Sequence, residues 1–179
     1  MLRTKRGFTL IELTIAMAIA GLIMGALGSV FYYLMVVPPE QSDRLTATNE
    51  LRFALDWIQH DGVQAQEFTL GSDPYYGSFY SEGYPQPSWT SNVSYKYEEP
   101  EPPSPYGKLF RVETIDEGTP TEKTTNMTLS SHIVDFGDVS FAYDDDDQVT
   151  VNMTVILNPG TANEISETDT RYIEMRAAQ

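Results

Sequence analysis

Arg3-Thr4-Lys5-Arg6-Gly7-Phe8-Thr9-Leu10-Ile11-Glu12-Leu13 leads into an uncharged apolar run that ends at Val37. As an α-helix the 25 residues from Leu13 to Val37 extend about 37 Å, enough to cross a bilayer with some tilt. A cleavable secretory signal has an apolar core of only about 7 to 15 residues, so this run is too long for one. Basic residues stand ahead of it and the next one, Arg44, lies beyond Pro38-Pro39. The positive-inside rule therefore predicts a cytoplasmic N-terminus and an exported C-terminal body. The anomaly is Glu12, because a carboxylate at the head of a membrane-grade helix costs about 3 kcal/mol on insertion scales. It reads as a functional group that needs a partner.

Outward from that stretch, 179 residues leave room for one membrane helix and one modest domain. The net charge is −15, and Arg3, Lys5 and Arg6 supply three of the eleven basic residues; without them the rest stands at −18. An acidic body repels phosphate, so direct nucleic-acid binding is not expected. The absence of cysteine excludes disulfides, thiolate metal sites and cysteine nucleophiles.

The nine residues Lys5-Arg6-Gly7-Phe8-Thr9-Leu10-Ile11-Glu12-Leu13 resemble the cleavage and methylation motif of type IV pilins and type II secretion pseudopilins. The resemblance implies that a prepilin peptidase/methyltransferase cuts between Gly7 and Phe8 and N-methylates Phe8, leaving Glu12 as the fifth residue of the mature chain. It also implies partners: other pilin or pseudopilin subunits, an inner-membrane assembly platform, and membrane lipid before assembly. In a bundle of parallel helices the Glu12 carboxylate can pair with the freed α-ammonium of a neighbour's Phe8, each charge offsetting the other's desolvation.

Gly21, Gly25 and Gly28 fall on one helical face, and Gly21-Leu22-Ile23-Met24-Gly25 is a small-xxx-small pattern suited to close packing in lipid. The resemblance offers local unwinding as their other use. Many relatives carry a proline in this part of the helix, and this chain does not. The first prolines, Pro38-Pro39, predict a kink or break. A second helical segment is expected over residues 41–66, with Leu45, Leu51, Ala54, Leu55, Ile58 and Ala65 inward, Arg44, Arg52, Asp56 and Asp61 elsewhere, and Trp57 at the margin. The sequence around it, Asn49 to Asp61, is similar to the post-membrane helix of minor pseudopilins and minor pilins.

Residues 67–107 mix ten aromatics with Gly, Pro and Ser and read as a loop section, its aromatics either covering one side of a small sheet or forming a glycan- or partner-binding surface. From Lys108 onward alternating and β-branched runs, among them Gln148–Leu157, predict antiparallel strands, with Val139–Tyr143 and Val149–Val155 forming a hairpin around Asp144, Asp145, Asp146, Asp147 and Gln148. Those four aspartates read as a solvated acidic turn, with a Ca²⁺ site as the alternative, although their spacing matches no EF-hand loop. His60 and His132 are the only histidines, and nucleophile-elbow, HExxH, Walker and dinucleotide patterns are absent.

The expected class is α+β, a long N-terminal helix packed on a C-terminal antiparallel sheet as in pilins. Its expected parts are a leader at 1–7, a membrane and filament-core helix at 8–37, an amphipathic continuation at 38–66, the aromatic section at 67–107 and the sheet at 108–179. The expected function is that of a non-enzymatic minor pilin or pseudopilin, anchored in the inner membrane and extracted into a filament. A major pilin, or a lone membrane-anchored exported binding domain, is the alternative.

Overall fold

The computed structural model describes residues 9–83, 89–144 and 148–176; the side chains of residues 36–39 and of Asp144 are outside that description. One helix, α1, spans Leu10–Gln64. Its backbone stays helical through Pro38-Pro39, so the expected break is absent, and it stops two residues before Gln66. Proline removes helix donors, yet its fixed φ near −65° is itself a helical value. The chain divides into two compact units, Met1–Ser42 and Asp43–Gln179.

In the first unit every side chain from Leu10 to Met35 is exposed, and this stretch is long and apolar enough to cross a membrane. A helix that is apolar all round must be solvated by lipid or covered by other helices.

In the second unit α1 buries Ala47, Leu51, Ala54, Leu55 and Ile58, with Ala65 just past its end. Steps of four and three along this series bring Asp61 onto the same face, and it is buried, contrary to the sequence expectation. Leu45 is corrected in the other direction. Two residues before Ala47 is about 200° around the helix, and Leu45 is 64% exposed.

Among the described residues the helix is followed by eight antiparallel strands. β1 (Glu67–Leu70), β2 (Tyr75–Glu82), β3 (Thr90–Glu98), β4 (Gly107–Ile115) and β5 (Lys123–Ile133) form one sheet in chain order. β6 (Val139–Asp144), β7 (Gln148–Leu157) and β8 (Ile165–Glu174) form a second. The expected loop section at 67–107 is thus corrected: three strands occupy most of it, the sheet region begins at Glu67, and there are two sheets instead of one. β3 shows why the alternation was hard to see. Its inward row is Ser91, Val93, Tyr95 and Tyr97, and a serine in that row disguises the period of two. Irregular chain persists over residues 99–106, where four prolines deny the sheet its donors. A 3-10 turn at Phe136–Asp138, capped reciprocally by Asp135 and Asp138, separates β5 from β6.

The two sheets and the helix share one core. β7 contributes Val149, Val151, Met153, Val155 and Leu157 from alternate positions. Aromatics join the sheets, with Phe141 stacked on Tyr95 at 5.5 Å and on Phe68 at 5.8 Å, and Tyr76 stacked on Phe136 at 4.3 Å. Phe68, Tyr76, Phe79, Tyr95 and Tyr97 of the 67–107 section therefore pack in or against the core, while Tyr75 and Trp89 remain exposed.

Two hairpin loops repeat one design. Asp116-Glu117-Gly118-Thr119-Pro120-Thr121-Glu122 joins β4 to β5, and Asn158-Pro159-Gly160-Thr161-Ala162-Asn163-Glu164 joins β7 to β8. Asp116 and Asn158 both have φ of 54°, with Gly118 and Gly160 at 77° and 72°. These left-handed positions are ones that Asp, Asn and Gly adopt most readily. In each loop the threonine hydroxyl donates back to the first residue's carbonyl, at 2.7 and 2.8 Å, and the glycine N–H donates to the closing glutamate, at 2.9 and 2.7 Å.

Candidate assembly site

Thr9 precedes the first residue of α1 and Glu12 lies in its first turn. The Thr9 N–H and hydroxyl each donate to Glu12 Oε2 at 2.9 Å, and the Glu12 N–H donates to Thr9 Oγ1 at 3.3 Å. This reciprocal arrangement is a capping box, which satisfies helix N–H groups that have no intrahelical acceptor and places negative charge at the positive end of the helix dipole. The carboxylate thus has a local partner within the chain, and both residues are exposed. The spacing Thr-x-x-Glu ahead of an apolar run was the available signal. Gly7 and Phe8 lie outside the described residues.

The three glycines named from sequence open gaps in the apolar helix. A Cβ built on Gly21, Gly25 or Gly28 meets nothing within 4 Å. The space above them is free to receive another helix. The acidic turn falls largely outside the description: Asp145, Asp146 and Asp147 are not described, and Asp144 is seen only as the last β6 residue, paired in register with Gln148. Among the described residues no group of three or more His, Asp or Glu is positioned to hold a metal ion.

Two polar clusters, neither anticipated from sequence, fix the helix to the sheets in the second unit. In the first, Arg111 on β4 meets Asp61 on α1 through a two-pronged pair, Nε to Oδ2 at 2.7 Å and Nη2 to Oδ1 at 2.8 Å. The side chains are 8% and 4% exposed. Arg111 Nη1 donates to Glu113 at 2.8 Å, the Tyr95 hydroxyl donates to Asp61, and the guanidinium lies 5.3 Å from the Trp57 ring centre. Burial alone would lower the Arg111 value, but its hydrogen bonds to Asp61 and Glu113 outweigh that and raise it. Burial, reinforced by the Asp61 charge, pushes the Tyr95 phenol well above its usual 10. Nothing in the sequence spacing joins residues 50 positions apart.

In the second cluster Glu50 on α1 accepts from the Ser130 and Ser131 hydroxyls and meets His132 Nδ1 at 2.8 Å. A serine, a histidine and a glutamate invite comparison with a nucleophile and its base. Here both hydroxyls bond to the carboxylate, and the imidazole packs edge-on against Tyr106 at 4.7 Å. The cluster ties helix to strand. His60, the other histidine, is exposed and bonds to Gln64 on its own helix.

Residues 2–28 match a family model described as the prokaryotic N-terminal methylation motif. The chain is pilin-like. The match supports the type IV pilin and pseudopilin family, and the long N-terminal helix followed by antiparallel sheet is consistent with a pilin-like fold. The comparisons with curated proteins and with solved structures gave no match. In this pilin-like chain the matched residues span Glu12 and all three glycines. The motif implies processing by a prepilin peptidase and assembly with other pilins, in a family that is structural instead of enzymatic. The apolar helix of the pilin-like chain fits an anchor in the inner membrane.

Proposed function

We propose that this chain is a minor pilin or pseudopilin, a non-enzymatic subunit of a type IV pilus, a type II secretion pseudopilus or a competence filament. The observation that carries the proposal is the motif match over residues 2–28, with Glu12 in the first turn of a fully exposed apolar helix. The N-terminus starts in the cytoplasm and the acidic body lies outside. Cleavage between Gly7 and Phe8 removes three positive charges and frees an α-amine, which is then methylated. That ammonium of one subunit pairs with Glu12 of the next, and the attraction in low dielectric fixes the axial register of the bundle. Before cleavage the Glu12 carboxylate is held by Thr9 instead. Gly21, Gly25 and Gly28 let neighbouring helices approach closely. The minor assignment rests on the resemblance of residues 49–61 to that branch.

Mass spectrometry of the N-terminus in a host with an active prepilin peptidase tests the reading. A methylated Phe8 is expected, and an intact Met1 overturns it. Subunit counts in purified filaments separate minor from major. Glu12→Ala is expected to be cleaved normally and to enter filaments poorly; normal incorporation would refute the charge pairing.

A further inference from the structure

The apolar run of α1 from Leu13 to Val37 extends about 37 Å, some 7 Å more than the hydrocarbon core of a bilayer. Keeping all of it in hydrocarbon requires a tilt of about 36°, near the upper end of the range for membrane helices. Otherwise about five residues project from one side. Side-chain chemistry decides which side. Between Glu12 and Phe31 the only hydroxyl residues are Thr14 and Ser29. Each donates to a backbone carbonyl about one turn earlier, Thr14 to Ile11 at 2.9 Å and Ser29 to Gly25 at 3.0 Å. Hydrocarbon requires such satisfaction of polar groups within the segment itself.

Phe31, Tyr32 and Tyr33 are the only aromatics of the run, and all three are exposed. At about 100° per residue they spread over about 200° of the helix circumference. Tyr32 and Tyr33 meet edge to face at 6.1 Å. A tyrosine offers an apolar ring and a hydroxyl that bonds to water, so such rings collect at the level of the lipid headgroups. From Glu12 to Tyr32 the helix rises through 20 residues, about 30 Å, which is the thickness of the hydrocarbon core. With Tyr32 at one boundary, Glu12 therefore reaches the other. Its carboxylate, closed into the capping box with Thr9, then stays out of hydrocarbon, where a charge is strongly disfavoured. We propose that the unassembled chain is held at one depth in the bilayer. Glu12 lies at the inner headgroup level and the Phe31–Tyr33 girdle at the outer one. The span is centred on Leu22, and Leu34 and Met35 stand among the outer headgroups.

This placement rests on the membrane anchor of the proposed function and names the lipid contacts that fix it. Glu12 then meets a low dielectric only when neighbouring helices close around it in a filament. The chain has no cysteine, so single cysteines at Thr14, Ala18, Leu22, Ala26, Val30 and Leu34 can each carry a nitroxide in the full chain. The labelled chains are placed at high dilution in palmitoyl-oleoyl phosphatidylcholine vesicles. Power saturation with oxygen and with a water-soluble nickel complex reads the depth of each label. Leu22 is expected deepest, Ala18 level with Ala26, Thr14 level with Val30, and Leu34 at the headgroups. A span that used the whole run would centre on residue 25, with Ala26 deeper than Leu22 and Leu34 inside hydrocarbon. That result overturns the placement and leaves the anchor intact. Uniformly shallow labels overturn anchor and placement together, while the mass of the N-terminus still decides processing. Dipolar broadening between labels would put a second copy of the chain where lipid is assigned, and overturns the placement as well. Tyr32→Leu combined with Tyr33→Leu removes the two hydroxyls, and the centre is expected to move about three residues, or about 4.5 Å, toward residue 25. An unmoved profile refutes the part given to the tyrosines.

Discussion

Replacing Asp61 with alanine leaves the Arg111 guanidinium buried with only Glu113 beside it and strips the Tyr95 hydroxyl of its acceptor. Removing one partner of a buried ion pair costs about 3–5 kcal/mol, because the remaining charge keeps its desolvation penalty. Both side chains are less than a tenth exposed, so solvent screening does not reduce that figure. Native domains are stable by about 5–15 kcal/mol, and such a loss takes a large share of the total. Urea unfolding of the full chain in detergent, followed by tryptophan fluorescence, should show the midpoint falling accordingly; Trp57 beside Arg111 reports the event directly. The double variant Asp61→Leu with Arg111→Met removes both charges and is expected to recover most of the loss, since well-packed apolar replacements of buried pairs are often neutral or better. A loss below about 1 kcal/mol for Asp61→Ala, the scale of an exposed pair, would refute the reasoning. So would a double variant no better than the single one.

Gly62→Ala should destabilise the body by about 1–3 kcal/mol despite the better helix propensity of alanine, because the added Cβ would sit 2.6 Å from Ile173 Cγ2 and 3.2 Å from the Phe79 ring. An unchanged or higher unfolding midpoint would show that β8 yields more easily than its packing suggests. Stability should also fall as pH rises past 10. The unfolded chain begins to lose its phenol protons there, while the folded chain keeps that of Tyr95, so the contribution is complete below 10 and declines above it. Tyr95→Phe should flatten this alkaline slope in a pH series of melting temperatures, and an unchanged slope would count against the role of Tyr95.

The parts of the fold that could be read from the sequence were those where one residue type repeats with one period. The apolar run needs no tertiary partner to be recognised, and Gln148–Leu157 alternates cleanly because β7 is covered on one face. β2 and β3 were missed because Ser81 and Ser91 occupy inward positions while aromatics stand on both faces. Asp61 was misplaced for a related reason: a carboxylate on an amphipathic helix reads as outward, and what holds it inside is an arginine 50 residues away. At the candidate assembly site the motif spacing singled out Gly7, Phe8 and Glu12 as expectations, and of these the structure describes Glu12. The bond from Thr9 to Glu12 was equally local, and the Thr-x-x-Glu spacing carried it.

The paired loops bear on how the body comes together. Each closes its turn with contacts drawn from its own seven residues, which favours the register of β4 with β5 and of β7 with β8 locally, and each is then tied to distant chain, Asp116 to Thr90 and Asn158 to Tyr106 and Asp43. Short-range closure costs little chain entropy, and hairpins form in about 1–10 μs. The greater entropic cost falls on bringing α1 against the sheets, where Asp61 meets Arg111 across 50 residues and Glu50 meets Ser130 across 80.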